Sequence, residues 1–273
     1  MKLTPFVRIR SSYSAAEMIR LENKSDHSRC LTDYSTGEIM LRKSIIISHK
    51  TINAVIVIVA TFLFLICLYA MIDAYNVYVD ANASGIMKYK PEYGNTEKLR
   101  ELSENSVAWL TVDDTRIDYP VMQGENNTEY LNKAPNGEFS LSGSIFLDSR
   151  NDKTFSDPYS LIYGHHMEYG AMFGALDKYK DKTYFDAHRT GSLTVVNGEE
   201  YHIKFFAACK AQATEKVIFD PTESNNQALL AYLKKHAIIY DPRGVSAGSK
   251  LIALSTCQSA ESYERMIVFG TLN

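Results

Sequence analysis

Cysteine is scarce in this 273-residue chain, with four in all, at Cys30, Cys67, Cys209 and Cys257. That scarcity excludes a disulfide-rich scaffold, so the stability of any globular part must come from a packed core. An excess of one charge is missing too, since 29 basic residues face 32 acidic ones and leave a net charge of -3. Binding to an anionic polymer therefore finds no support, and no nucleic-acid partner is expected. The seven histidines lack companions at recognised metal-ligand spacing, so neither a metal nor a cofactor is expected.

What the chain does have is one long apolar run. From Thr51 to Ile72 it reads "TINAVIVIVATFLFLICLYAMI" without a charge, and a helix of that length spans roughly 30 Å, the hydrocarbon thickness of a bilayer. Apolar residues cover every face rather than one stripe, which separates this run from an amphipathic core helix. It reads as a transmembrane helix. Arg42, Lys43 and Lys50 precede it, while Asp73 and Asp80 are the first charges after it. The positive-inside rule then places residues 1–50 in the cytoplasm and the rest outside. A cleaved signal peptide fits poorly, because the apolar run is too long and the basic segment before it too extended. The expectation is a retained, single-pass type II anchor in the cell membrane.

Four segments follow from this reading: a cytoplasmic segment 1–50, the span 51–72, an extracellular stalk 73–95 ending in "KPEYGN", and a globular domain over 96–273. Within the domain "NTEKLRELSENSV" predicts a helix capped by Asn95 or Thr96, with Leu99 and Leu102 on one face. "VAWLTV" and "IDYPVM" read as a hairpin, followed by strands at "GSIFLD" and "YSLIYG". "SLTVV" and "EYHIKFFAA" flank Asn197-Gly198, which predicts a hairpin with a type I′ turn. A helix is expected from Pro221 to His236, before the final strands "KLIALST" and "RMIVFGTL". Strands outnumber helices, so the class is mostly antiparallel β, a barrel or sandwich with a few covering helices.

Chemistry concentrates at strand ends. Cys257 closes the apolar strand "KLIALST", and taken alone it is as well read as a small buried hydrophobe. A thiol nucleophile needs an imidazole and donors for a developing oxyanion. His165 and His166 directly follow the strand "YSLIYG", where a rigid scaffold can hold side chains at a cleft, whereas His188 and His202 read as surface or strand-face residues. Arg265 opens the last strand, and if that strand neighbours the one ending at Cys257, its permanently charged fork returns beside the thiol. Three readings stay open here: a thiol acyltransferase, a hydrolytic cysteine peptidase, and a tethered binding module with Cys257 buried.

"LSTC" with its downstream arginine and "YGHH" upstream resemble the signature of the sortases, membrane-anchored cysteine transpeptidases of Gram-positive bacteria. The resemblance runs from about Ser106 to the end of the chain. "VAWLTVDDTRIDYPVMQG", "GSIFLD", "IYGHHM…MFGAL", the helix at 221–236 and Ser255 are most similar to class B members. It implies a mostly β fold, a closed barrel of about eight strands with an N-terminal helix and a helix inserted between the sixth and seventh strands. It implies that Cys257 attacks a C-terminal sorting signal of a secreted protein to form a thioester. His165, directly after Gly164, would transfer the protons, and Arg265 would position the substrate and stabilise the oxyanion. Ser255 and Thr256 would belong to the substrate-binding surface. An amine of a lipid-linked peptidoglycan precursor, or a pilin lysine, would resolve the thioester. Neither cofactor nor metal is implied.

Overall fold

The computed structural model describes residues 15–81, 85–92, 95–223, 225–256 and 264–273. They fall into two compact units, Met1–Ala70 and Met71–Asn273. Helix α1, Ala15–Ala81, accounts for the described part of the first. It is longer than the apolar run because the sequence holds no proline and only Gly37 between Ala15 and Ala81, so nothing breaks the backbone hydrogen-bond ladder. Its stretch Thr36–Asn76 is long and apolar enough to cross a membrane. Large apolar side chains from Ile52 to Ile72 are exposed, the pattern a lipid-facing helix would have.

The second unit takes in the end of α1 and goes on to a 3₁₀ turn, Met87–Tyr89, and helix α2, Glu97–Leu102. Ile86 and Tyr89 pack with Leu99, Leu102 and Trp109, so the packed domain reaches back into the expected stalk. At α2 the Asn95 carboxamide accepts the Glu97 N–H at 3.0 Å. The Thr96 hydroxyl instead donates to the Val196 carbonyl, so of the two expected caps Asn95 does the capping.

Nine strands follow among the described residues: β1 Ser106–Val112, β2 Asp118–Met122, β3 Ile145–Leu147, β4 Tyr159–Gly164, β5 Thr190–Val195, β6 Glu200–Gln212, β7 Ile239–Tyr240, β8 Leu251–Thr256 and β9 Glu264–Leu272. Their order is β5-β1-β2-β3-β4-β8-β9-β6-β7, and β5 also pairs with β6. That last pairing closes eight strands into a barrel and leaves β7 as a short addition on β6 at Ala207 and Ala208. Only β2–β3 and β4–β8 pair parallel, so the sheet is mostly antiparallel, as expected. Helices α3, Lys182–Ala187, α4, Lys216–Phe219, and α5, Asn226–His236, lie in the connections, the last two between β6 and β7.

Burial explains the apolar runs near the C-terminus. Ile252 and Leu254 of β8 and Val268 of β9 fill the barrel interior with Ile162 and Phe205. Their alternate neighbours Leu251, Ala253, Ile267 and Phe269 pack outward against Ile218, Phe219, Leu229 and Leu233 of α4 and α5. A strand buried on both faces reads as a continuous apolar run rather than as alternation. Leu176 and Tyr179, from the 3₁₀ turn Gly174–Lys180, join the interior cluster with Phe173 and Phe185.

Two expectations are corrected locally. The β5–β6 hairpin forms, but Gly198 alone takes a positive φ, of 96°, whereas a type I′ turn needs it at Asn197 as well. The Gly198 N–H donates to the Val195 carbonyl and the Val195 N–H to the Glu199 carbonyl. This is a three-residue loop with the glycine at a bulge. The helix expected from Pro221 starts only at Asn226, where the Asn225 side chain caps it by accepting the Gln227 N–H. Upstream, the Asp220 carboxylate accepts from the Thr222 backbone and hydroxyl, a local turn that competes with helix.

Candidate active site

The site forms where β4, β8 and β9 lie side by side. Gly164 is the register partner of Thr256 across the parallel β4–β8 ladder. The Thr256 hydroxyl oxygen accepts the Met266 N–H of β9 at 3.0 Å. His165 follows Gly164, Cys257 follows Thr256, and Arg265 precedes Met266. The end of β4 and the start of β9 thus bring His165 and Arg265 to one end of the barrel, where β8 ends at Thr256. Cys257 itself lies outside the described residues, as do the positions that follow it to Tyr263. Gly164 has to be glycine: a Cβ there would collide with Ile145 Cδ1 and come within 2.8 Å of the Phe173 ring.

His165 and Arg265 line the same cavity, about 440 Å³ in volume, with Asn127, Thr128, Leu131, Phe146, Tyr163, Ala213 and Phe219. The His165 Nε2 is 2.6 Å from the Leu131 carbonyl oxygen. A carbonyl only accepts, so Nε2 must carry the hydrogen. The exchangeable nitrogen is then Nδ1. His166 is not among the lining residues, and its Nε2 lies 2.8 Å from the exposed carboxylate of Asp177.

The guanidinium of Arg265 sits between two aromatic rings, its carbon 5.6 Å from the Tyr163 centroid and 5.0 Å from that of Phe219. Both distances are within cation–π range. Its Nε is buried and has no hydrogen-bond partner among the described residues. A buried donor left unpaired is costly unless a ligand completes it. The cavity thus holds an imidazole, a group able to move protons, and a guanidinium able to stabilise an oxyanion.

Ser255 and Thr256 are buried at 0% and 4% exposure, and neither lines the cavity. The Ser255 hydroxyl donates to the Thr256 carbonyl. The sequence reading missed the walls, namely Asn127, Leu131, Tyr163 and Phe219. One signal was present: Asn126 ahead of Glu129 marks a turn start, and its carboxamide accepts from the Thr128 and Glu129 N–H groups. Cys209 lies apart from the cavity, fully buried, its thiol 3.7 Å from the His236 carbonyl.

A protein-family model described as a sortase domain matches residues 110–273. The chain belongs to the sortase family. Sortases are cysteine transpeptidases, and this sortase is most similar to class B. Sortase B of Listeria monocytogenes is 36% identical over 179 residues, covering 64% of this chain and 72% of that protein. Among solved structures, a Streptococcus pyogenes class B sortase involved in pilus biogenesis matches at 39% identity and TM-score 0.61, covering 66% of this chain and 98% of that one. A Staphylococcus aureus sortase B–substrate complex matches at 28% identity and TM-score 0.60, covering 65% and 83% respectively.

Proposed function

We propose that this sortase is a membrane-anchored transpeptidase that cleaves a C-terminal sorting signal and joins the new carboxyl end to an amine of a peptidoglycan precursor. The observation that carries it is the Gly164–Thr256 pairing, since His165 and Cys257 are the next residues in the sequence after these two partners. The presence of Arg265 in the cavity of His165 adds the cation.

In the proposed sequence the Cys257 thiol passes its proton to His165 Nδ1 and its sulfur attacks the carbonyl carbon of the scissile peptide bond, and the C–S bond forms as the oxygen takes up negative charge. Arg265 meets that oxygen with its unpaired Nε–H. The C–N bond then breaks, and the departing amine takes a proton from His165, leaving a thioester. The acceptor amine attacks the thioester carbonyl and gives a proton to His165, and the thiolate leaves as the new C–N bond closes. Through its bond to Leu131, the imidazole exchanges these protons at Nδ1. A thioester retains acyl-transfer potential, so an amine admitted to the cavity outcompetes water. Ser255 and Thr256 shape the approach to the thiol from within the sheet. The apolar run Thr51–Ile72, within the stretch Thr36–Asn76, supplies the anchor, and the basic flank at Arg42, Lys43 and Lys50 orients the domain outside the membrane.

A second acceptor is favoured by one observation, the 39% identity to a class B sortase involved in pilus biogenesis. In that reading a pilin lysine replaces the peptidoglycan amine. The deciding experiment incubates the full chain in detergent with sorting-signal peptides and either a peptidoglycan-stem amine or a lysine-bearing pilin peptide. Mass spectrometry follows the thioester and the joined product. Cys257→Ala should form neither; joined product from that variant, or hydrolysis alone whatever amine is added, would sink the transpeptidase reading.

A further inference from the structure

Beside the cavity, and outside the set of groups assigned so far, lies a charged side chain with no exposure to solvent. Asp148, directly after β3, is 0% exposed. Arg150 grips its carboxylate by two parallel hydrogen bonds, Nε to Oδ1 at 2.9 Å and Nη2 to Oδ2 at 2.8 Å. The Arg150 backbone N–H donates to Oδ1 at 3.0 Å. Oδ2 also accepts from the Asn127 amide at 2.9 Å and from the Tyr163 hydroxyl at 3.1 Å. Arg150 reaches onward, donating to the Phe219 carbonyl at 2.7 Å and pairing with Asp220 at 3.2 Å.

Only the Asp148 half of this ion pair is buried, the Arg150 side chain being 38% exposed, and taking a carboxylate out of water costs desolvation that the pairing offsets only in part. A fully satisfied network of this kind does, however, fix geometry. Its ends are informative: Asn127, Tyr163 and Phe219 all line the cavity, and they come from the loop after β2, from β4 and from α4. Tyr163 and Phe219 are the two rings on either side of the Arg265 guanidinium. Burial, and then the neighbouring Asp148 charge, push the Tyr163 phenol well above the ordinary tyrosine range, so it remains a donor to that carboxylate.

We propose that Asp148 is a positioning residue, whose carboxylate, through Tyr163 directly and through Arg150 to Phe219, fixes the aromatic clamp that sets Arg265 in the cavity. It touches neither substrate nor the reacting atoms. The inference rests on the reading of Arg265 as the oxyanion group, since only then does its placement govern rate.

The experiment is a double-mutant cycle on the full chain in detergent. Asp148→Asn is measured in the wild-type and Arg265→Ala backgrounds. Loss of a transition-state contact lowers kcat and leaves KM in place. Asp148→Asn should therefore cost about tenfold in kcat in the wild type and under about twofold when Arg265 is already gone, as coupled residues behave. Because Asp148→Asn takes the carboxylate from the Arg150 guanidinium, the double variant Asp148→Asn with Arg150→Met serves as the folded control and should show the same kcat loss. The Arg265 Nε–H resonance, assigned by its disappearance in Arg265→Ala, should shift in both Asp148 variants. Equal losses in the two backgrounds, or an unmoved resonance, overturn the proposal. Should the wild-type chain turn over no peptide, the functional reading falls, and the resonance alone then decides the positioning role.

Discussion

Gly164 and Thr256 are partners across two parallel strands, and each is followed immediately in the sequence by a residue of the proposed acyl transfer, His165 in one case and Cys257 in the other. Parallel pairing makes this possible, because two strands running the same way end at the same edge of the sheet. An antiparallel partner must enter where they leave, and β9 does so with Arg265. The crossover that parallel pairing demands holds α3, α4 and α5, and α4 supplies Phe219 to the far wall of the cavity.

The adjacent histidines should separate cleanly. His165 lines the cavity, so His165→Ala should lower peptide turnover by about 100-fold or more, the ordinary contribution of a proton-transfer group. The exposed His166–Asp177 pair is of the kind that contributes little, so His166→Ala should stay within about threefold of wild type. Steady-state cleavage of a quenched peptide reads both, and an active His165→Ala protein beside an inactive His166→Ala protein reverses the assignment.

Removing the cation should be as informative. Arg265→Ala should cost about 100-fold or more in kcat, in line with loss of an oxyanion donor. Arg265→Lys keeps the charge but loses the planar fork and much of the stacking on Tyr163 and Phe219, so it should recover only part of that rate. Full activity in the lysine variant would show that charge alone suffices and that the unpaired Nε has no role.

The strand pattern and the residues at strand ends were legible in the sequence because each is a local property. The continuous runs of β8 and β9 announce burial on both faces, and Gly198 announces the hairpin. The turn type was not legible, since Asn197 tolerates either sign of φ and the β5–β6 register decides. Nor was the start of α5, where the Asp220–Thr222 turn overrides the helical preference around Pro221. The cavity walls stayed hidden for another reason: Asn127, Tyr163 and Phe219 are brought together only by the barrel's closure and the Asp148 network. Neither leaves a periodic trace along the chain.

Gly164 is a packing test of the same edge. Gly164→Ala places a methyl against Ile145 and the Phe173 ring, both buried in the barrel interior. Overfilling a packed core costs about 1–3 kcal/mol. The expected outcome is a lower thermal midpoint together with reduced turnover, because displacing the end of β4 displaces His165. Circular dichroism melting gives the first and peptide cleavage the second. An unchanged midpoint would show that the strand end yields without penalty.

Cys209 supplies a prediction about pH. Burial pushes its thiol up to about 11, with Glu215 and Glu264 adding to the shift. The native protein therefore holds the neutral thiol through the range in which an unfolded chain ionises it, near pH 9. Above that point the unfolded state binds fewer protons than the native one, so stability falls as pH rises. Its contribution is intact below about pH 9 and is lost progressively as pH climbs through about 11. The measurement is the urea midpoint of the full chain in detergent from pH 8 to 11, wild type against Cys209→Ala, a comparison in which the other three cysteines cancel. The wild type should lose its advantage, or deepen its deficit, only above about pH 9. At pH 8 the same buried thiol should resist iodoacetamide in the native protein and react after unfolding. A difference between the two proteins that is flat across the whole range, with Cys209 labelled at pH 8, would mean that the thiol is open to solvent.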